Sequence, residues 1–114
     1  MTELEPLAVA ALVDLDSDEA DLKWILDNVS ETCPDADYEA LKQKVLGIVE
    51  QLLGRGLAEV HLFDGTLSAR TPVEALDQVR RRWDLLRDRL RMGDVAYLSI
   101  TPAGEAAVRS APQG

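Results

Sequence analysis

Apolar residues along this chain recur at two spacings, three-to-four and two, and the order of those spacings outlines a small α+β domain. Pro6 stands where a proline opens a helix, and Leu7, Val9, Leu12, Val13 and Leu15 form a short apolar segment behind it. The acidic run Asp14-Leu15-Asp16-Ser17-Asp18 interrupts it. Asp16 or Ser17 then caps a second helix from about Asp18 to Val29, with Glu19 three residues after Asp16. Leu22, Ile25, Leu26 and Val29 share one side of that helix with Trp24 close by, and Cys33-Pro34 breaks it. A third helix, Asp37 to Leu53, places Tyr38, Leu41, Val45, Ile48, Val49, Leu52 and Leu53 within one wide arc. Such an arc belongs to a helix packed on two neighbours. The exposed remainder holds Ala40, Gln43, Lys44, Gly47, Glu50 and Gln51.

Gly54 and Gly56 stop this helix, and the period then changes to two. In the strand Leu57–Leu62, Ala58, Val60 and Leu62 take one face, while Glu59, His61 and the following Phe63 take the other. Asp64-Gly65 is a two-residue hairpin signal whose register pairs Leu62 with Leu67 and Val60 with Ala69. Thr71-Pro72-Val73-Glu74 reads as a capping box with proline at the first helical position. The helix it opens, about Pro72 to Met92, carries Leu76, Val79, Trp83, Leu86 and Leu90 as its stripe and would be roughly 30 Å long. Gly93-Asp94 turns into the strand Val95–Ile100, and a short helix from Pro102 to about Ser110 closes the chain. The pattern implies one domain over residues 1–114, mainly helical, with a three-stranded antiparallel sheet.

Charge changes this picture more than length does. The 114 residues carry a net charge of −9, with 46% apolar and 29% charged side chains, enough for one modest core. Residues 1–39 hold twelve acids against Lys23 alone, whereas residues 40–114 hold eleven Lys and Arg against nine acids. A nucleic-acid binder usually carries the opposite bias, because phosphate neutralisation supplies most of its non-specific affinity. An acidic face repels DNA and attracts a basic partner; its simpler use is to keep a small domain soluble. No apolar run approaches the roughly 20 residues of a membrane span, and the acidic N-terminus is unlike a secretory leader, so a cytoplasmic location is expected. Nine Arg against three Lys, with frequent Ala, suggests a GC-rich bacterial genome.

Two segments, VLGIVEQLLGRGLAEVHLF (45–63) and YLSITPAGEAAV (97–108), resemble winged-helix regulators of the MarR and PadR kind. The resemblance implies a winged helix-turn-helix-like fold with an extra helix inserted in the wing. It also implies that the Asp37–Leu53 helix would enter a DNA major groove while the hairpin tip met phosphate or the minor groove. The arrangement EALDQVRRRWDLLRDRL with GDVAYLSITPAGEA also resembles small uncharacterised actinobacterial proteins, which implies no particular activity. Against groove entry stands the start of that helix, Asp35-Ala36-Asp37-Tyr38-Glu39, which would turn three carboxylates toward phosphates.

Residue types suited to catalysis are sparse. His61 is the only histidine and sits on an alternating strand, so a structural or surface role is expected of it. Cys33, before Pro34, has no basic neighbour in sequence to activate it. Asp14 to Asp21 lack the glycine and terminal glutamate of a calcium loop and read as a solvated, helix-capping acidic stretch. Trp24 and Trp83 read as core anchors, and Leu85, off the Trp83 stripe, as exposed or meeting a second subunit. One basic cluster stands out, Arg80, Arg81, Arg82, Arg87, Arg89 and Arg91. Arg80, Arg87 and Arg91 fall along one flank of the long helix as a binding ridge, or else pair with Asp77, Asp84 and Asp88.

The expectation is therefore a non-catalytic winged-helix-like domain without metal or cofactor. Its partner would be another protein or a second copy, met through the acidic N-terminal face. The alternative is a DNA-binding transcriptional regulator acting through Lys42, Lys44, Arg70, Arg80, Arg87 and Arg91.

Overall fold

The computed structural model describes residues 4–63 and 71–110. Within them the chain runs α1 (Pro6–Ser17), β1 (Ala20–Asp21), α2 (Leu22–Thr32), α3 (Tyr38–Gly54), β2 (Ala58–Leu62), α4 (Pro72–Asp84), β3 (Ala96–Ile100) and α5 (Pro102–Ser110). The result is a mostly helical α+β fold with a three-stranded antiparallel sheet ordered β1-β3-β2. β3 is central, pairing Val60 with Leu98 on one side and Ala20 with Leu98 on the other. The inward face of the sheet (Ala20, Ala58, Val60, Leu62, Ala96 and Leu98) joins one cluster of buried side chains with α1 to α4. No described helix is long and apolar enough to cross a membrane.

α3 is the element against which α1, α2, α4 and β2 all pack. Its buried arc is wider than the stripe expected from the sequence, because Leu46 joins Val45, Ile48, Val49 and Leu52 in the interior. The helix ends in a Schellman motif: Leu57 N–H donates to Leu52 carbonyl at 2.9 Å, and Gly56 N–H donates to Leu53 carbonyl at 3.0 Å. That geometry requires the left-handed backbone that Gly56 adopts at φ +69°. A reciprocal pair fastens α1 to α3, with Glu5 N–H donating to Gln51 Oε1 and Gln51 Nε2 donating to Glu5 Oε2, both at 3.0 Å.

Four expectations are corrected. The second helix begins at Leu22 rather than Asp18, because α1 continues to Ser17 and the chain then extends into β1. Its cap is Asp21, not Asp16 or Ser17. One Asp21 oxygen accepts from Lys23 N–H at 2.8 Å while the other accepts from Gly93 N–H at 2.8 Å. Replacing Asp21 with alanine therefore removes a helix cap and a tie to the distant turn. A loss of about 1–2 kcal/mol, read as a lower urea midpoint at unchanged slope, is expected.

The third strand of the sheet is accordingly β1. The Asp64-Gly65 hairpin, with the pairings Leu62–Leu67 and Val60–Ala69, lies outside the described residues.

The long helix is also shorter than its periodicity. α4 stops at Asp84 with Leu85 as its cap, and residues 86–95 are not helical. Tertiary burial overrides propensity here. Leu90 is buried from a non-helical segment, and its N–H donates to the Tyr38 hydroxyl at 2.8 Å. Trp83 is a core anchor as expected, and Leu85 is 78% exposed. Trp24 is not a core residue, at 48% exposed. At helical spacing it stands opposite the arc of Leu22, Ile25, Leu26 and Val29, so its position, not its apolar type, decides its place.

Candidate functional site

The surface that a groove-binding helix would present is the outer arc of α3. It carries Glu39, Ala40, Gln43, Lys44, Glu50 and Gly54, all exposed. Gln43 Nε2 donates to Glu39 Oε1 at 3.0 Å, one turn away. Lys44 is thus the one cation of this arc, which also carries two carboxylates, and it belongs to no basic cluster.

Lys42 does not join it. The residue is only 8% exposed, its ammonium paired with Asp84 and set 5.7 Å from the centre of the Trp83 ring. The reason is α4, which lies antiparallel beside α3. Trp83 Nε1 donates to Tyr38 Oη at 3.0 Å near the start of α3, and Pro72, Val73 and Leu76 lie by Gln51 and Gly54 at its end.

The arginines do not form one ridge. Because α4 ends at Asp84, Arg80 lies on the helix while Arg87 and Arg91 lie on the irregular segment beyond it. Arg80 shares an apolar-floored cleft of about 470 Å³ with Glu50 and Arg55. Arg81 pairs with Asp77 at 2.9 Å, Arg91 lies 3.9 Å from Asp94, and Arg89 rests over the Tyr38 ring at 4.9 Å. Arg87 is exposed. Arg70 lies outside the described residues.

Seven carboxylates of the first third gather in two places. Asp35, Asp37 and Glu39 surround the start of α3, where Asp37 caps the helix through Ala40 N–H at 2.8 Å. Asp14, Asp18, Glu19 and Asp21 surround a second cleft, about 430 Å³ in volume, whose apolar walls are Trp24 and Met92. Trp24 also borders a third depression of about 330 Å³ between α1 and α2, together with Asp14, Asn28 and Glu31. Among the described residues, no group of three or more His, Cys, Asp or Glu is arranged to hold a metal ion.

The outer face of the sheet adds contacts that sequence reading did not anticipate. His61 Nε2 lies 2.8 Å from Ser99 Oγ, its ring stacks on Tyr97 at 4.9 Å, and Phe63 meets Tyr97 at 5.2 Å. Alternation in both strands carries the signal, but only the register, His61 opposite Tyr97 and Glu59 opposite Ser99, brings the groups together. A serine hydroxyl beside an imidazole has the geometry of a nucleophile–base pair; acyl transfer also needs oxyanion donors and a substrate cavity. Neither residue lines the clefts described above. Cys33 is half-buried and packs against the core.

Comparison with protein-family models, curated proteins and solved structures finds no match for this chain.

Proposed function

We propose that this chain is a non-catalytic winged-helix-like domain whose task is to bind another protein. Support for the scaffold comes from the element order α-β-α-α-β, a later strand placed between the first two, and the α5 start on Thr101-Pro102. Support for a protein partner rests on one observation above all. The outer arc of α3 offers Lys44 as its one cation, alongside the carboxylates Glu39 and Glu50, while Lys42 is engaged inside. A helix entering a major groove needs cations for phosphate and donors for base edges, and this one meets phosphate with carboxylates. α4 lies beside it with Asp77 and Asp84 as well as arginines, so a duplex would encounter mixed charge there too.

The second reading, a DNA-binding regulator, draws on the exposed Lys44, Arg55, Arg80 and Arg87. A duplex titration at low and moderate salt separates the two. The expected outcome is weak, sequence-independent binding that disappears at moderate salt, with little change in Lys44→Ala or Arg80→Ala. Sequence-selective affinity that persists at moderate salt and falls about tenfold or more in those variants would establish the regulator instead.

A further inference from the structure

We infer that the Trp24–Met92 cleft is the docking site, and that its occupant is a basic protein segment carrying one apolar anchor. The inference rests on the protein-contact reading above and gives it a place and a chemistry. Trp24 occupies the side of α2 turned away from the core, and Met92 approaches it from the segment that follows α4. An exposed tryptophan walling a cleft beside a flexible thioether is the kind of apolar centre on which interface energy concentrates.

Charge defines what fits there. Two of the surrounding acids have structural duties: Asp21 caps α2 and holds Gly93, and Asp14 accepts from Asn28 Nδ2 at 3.2 Å. Asp18 and Glu19 are exposed, and among the described residues the Asp18 carboxylate accepts a hydrogen bond from the adjacent Glu19 N–H. The sole cation of residues 1–39, Lys23, is paired with Asp27. A phosphate backbone would be repelled. A second copy of the chain meeting this cleft with its own cleft would set the same carboxylates against one another. Lysine or arginine flanking an apolar side chain satisfies both the floor and the rim.

The test uses the full chain and two synthetic peptides, one alternating Arg and Lys around a single Leu, the other with that Leu replaced by Gly. Trp83 is buried, so acrylamide quenches chiefly Trp24. The expected result is saturable protection of Trp24 by the Leu peptide at low salt, with calorimetric affinity about tenfold weaker for the Gly peptide. Asp18→Asn/Glu19→Gln should weaken binding about tenfold, whereas Asp35→Asn/Glu39→Gln, an equal change of net charge, should alter it less than about twofold. Trp24→Ala, checked for an unchanged circular dichroism spectrum, should abolish saturable binding. Equal weakening by the two double variants, full affinity in Trp24→Ala, or no binding at low salt would each overturn the inference. A cellular protein crosslinked equally to wild type and to Trp24→Ala/Asp18→Asn/Glu19→Gln would also overturn it, yet leave the protein-contact reading intact; sequence-selective duplex binding would remove that reading itself.

Discussion

Replacing Gly104 with alanine should destabilise the domain by about 2–3 kcal/mol, although alanine is the better helix former by about 1 kcal/mol. The added Cβ would lie 2.1 Å from the Leu57 carbonyl oxygen and 2.6 Å from Ile100 Cγ1. Ile100 is a side chain and can rotate; the Leu57 carbonyl cannot. It already accepts from Thr101 N–H at 3.1 Å, while Thr101 Oγ1 donates to the Gly56 carbonyl at 2.6 Å and accepts from Gly104 N–H at 3.0 Å. The Schellman turn, the end of β3 and the start of α5 are thus tied at one point, and the clash falls on backbone belonging to all three. At roughly 4–8 °C per kcal/mol for a domain of this size, a fall in melting temperature of about 10–20 °C is expected by calorimetry. An unchanged midpoint would mean that α5 can move aside and contributes little to the core.

Tyr38→Phe is expected to cost about 2–4 kcal/mol despite removing a single oxygen. The Tyr38 hydroxyl accepts from Trp83 Nε1 at 3.0 Å and from Leu90 N–H at 2.8 Å, so two donors at buried residues lose their partner together. Each unsatisfied donor carries its own desolvation penalty of about 1–3 kcal/mol. The effect should appear as a lower urea midpoint at unchanged slope, with Trp83 emission shifted to the red as water reaches the indole. The paired replacement Trp83→Phe in the Tyr38→Phe background should cost less than the sum of the single losses, because one of the orphaned donors is then absent. A cost below about 0.5 kcal/mol in Tyr38→Phe would mean that residues 85–91 are held by other contacts.

The parts of the fold that were readable in advance are those whose cause is local. The buried arc of α3, the glycine that ends it, the alternation of β2 and the Thr71-Pro72 and Thr101-Pro102 helix starts each follow from residues a few positions apart. The parts that were not readable depend on distant partners. β1 is two residues long, and nothing near Ala20 and Asp21 announces pairing with Leu98 and Tyr97. Leu86 and Leu90 continue the helical spacing of α4 after its hydrogen bonding has ended, since Leu90 is secured by Tyr38 from a separate helix.

The surface followed the same division. Lys42 reads as an ordinary exposed lysine until Trp83 and Asp84 close over it. Trp24 reads as a core anchor when it is placed close to the apolar side of α2, whereas its angular position puts it opposite the arc of Leu22, Ile25, Leu26 and Val29. The proposed arginine ridge required a straight helix to Met92, and its geometry dissolved when that helix ended early.

The strand at the middle of the sheet is the last one to leave the ribosome. Until residues 96–100 emerge, β1 and β2 lack the strand that joins them among the described residues, and the helices made earlier can cluster but cannot close on a complete sheet. Completion of this domain must therefore wait until β3 has been made, and a chain truncated before Ala96 should persist as a loose helical assembly.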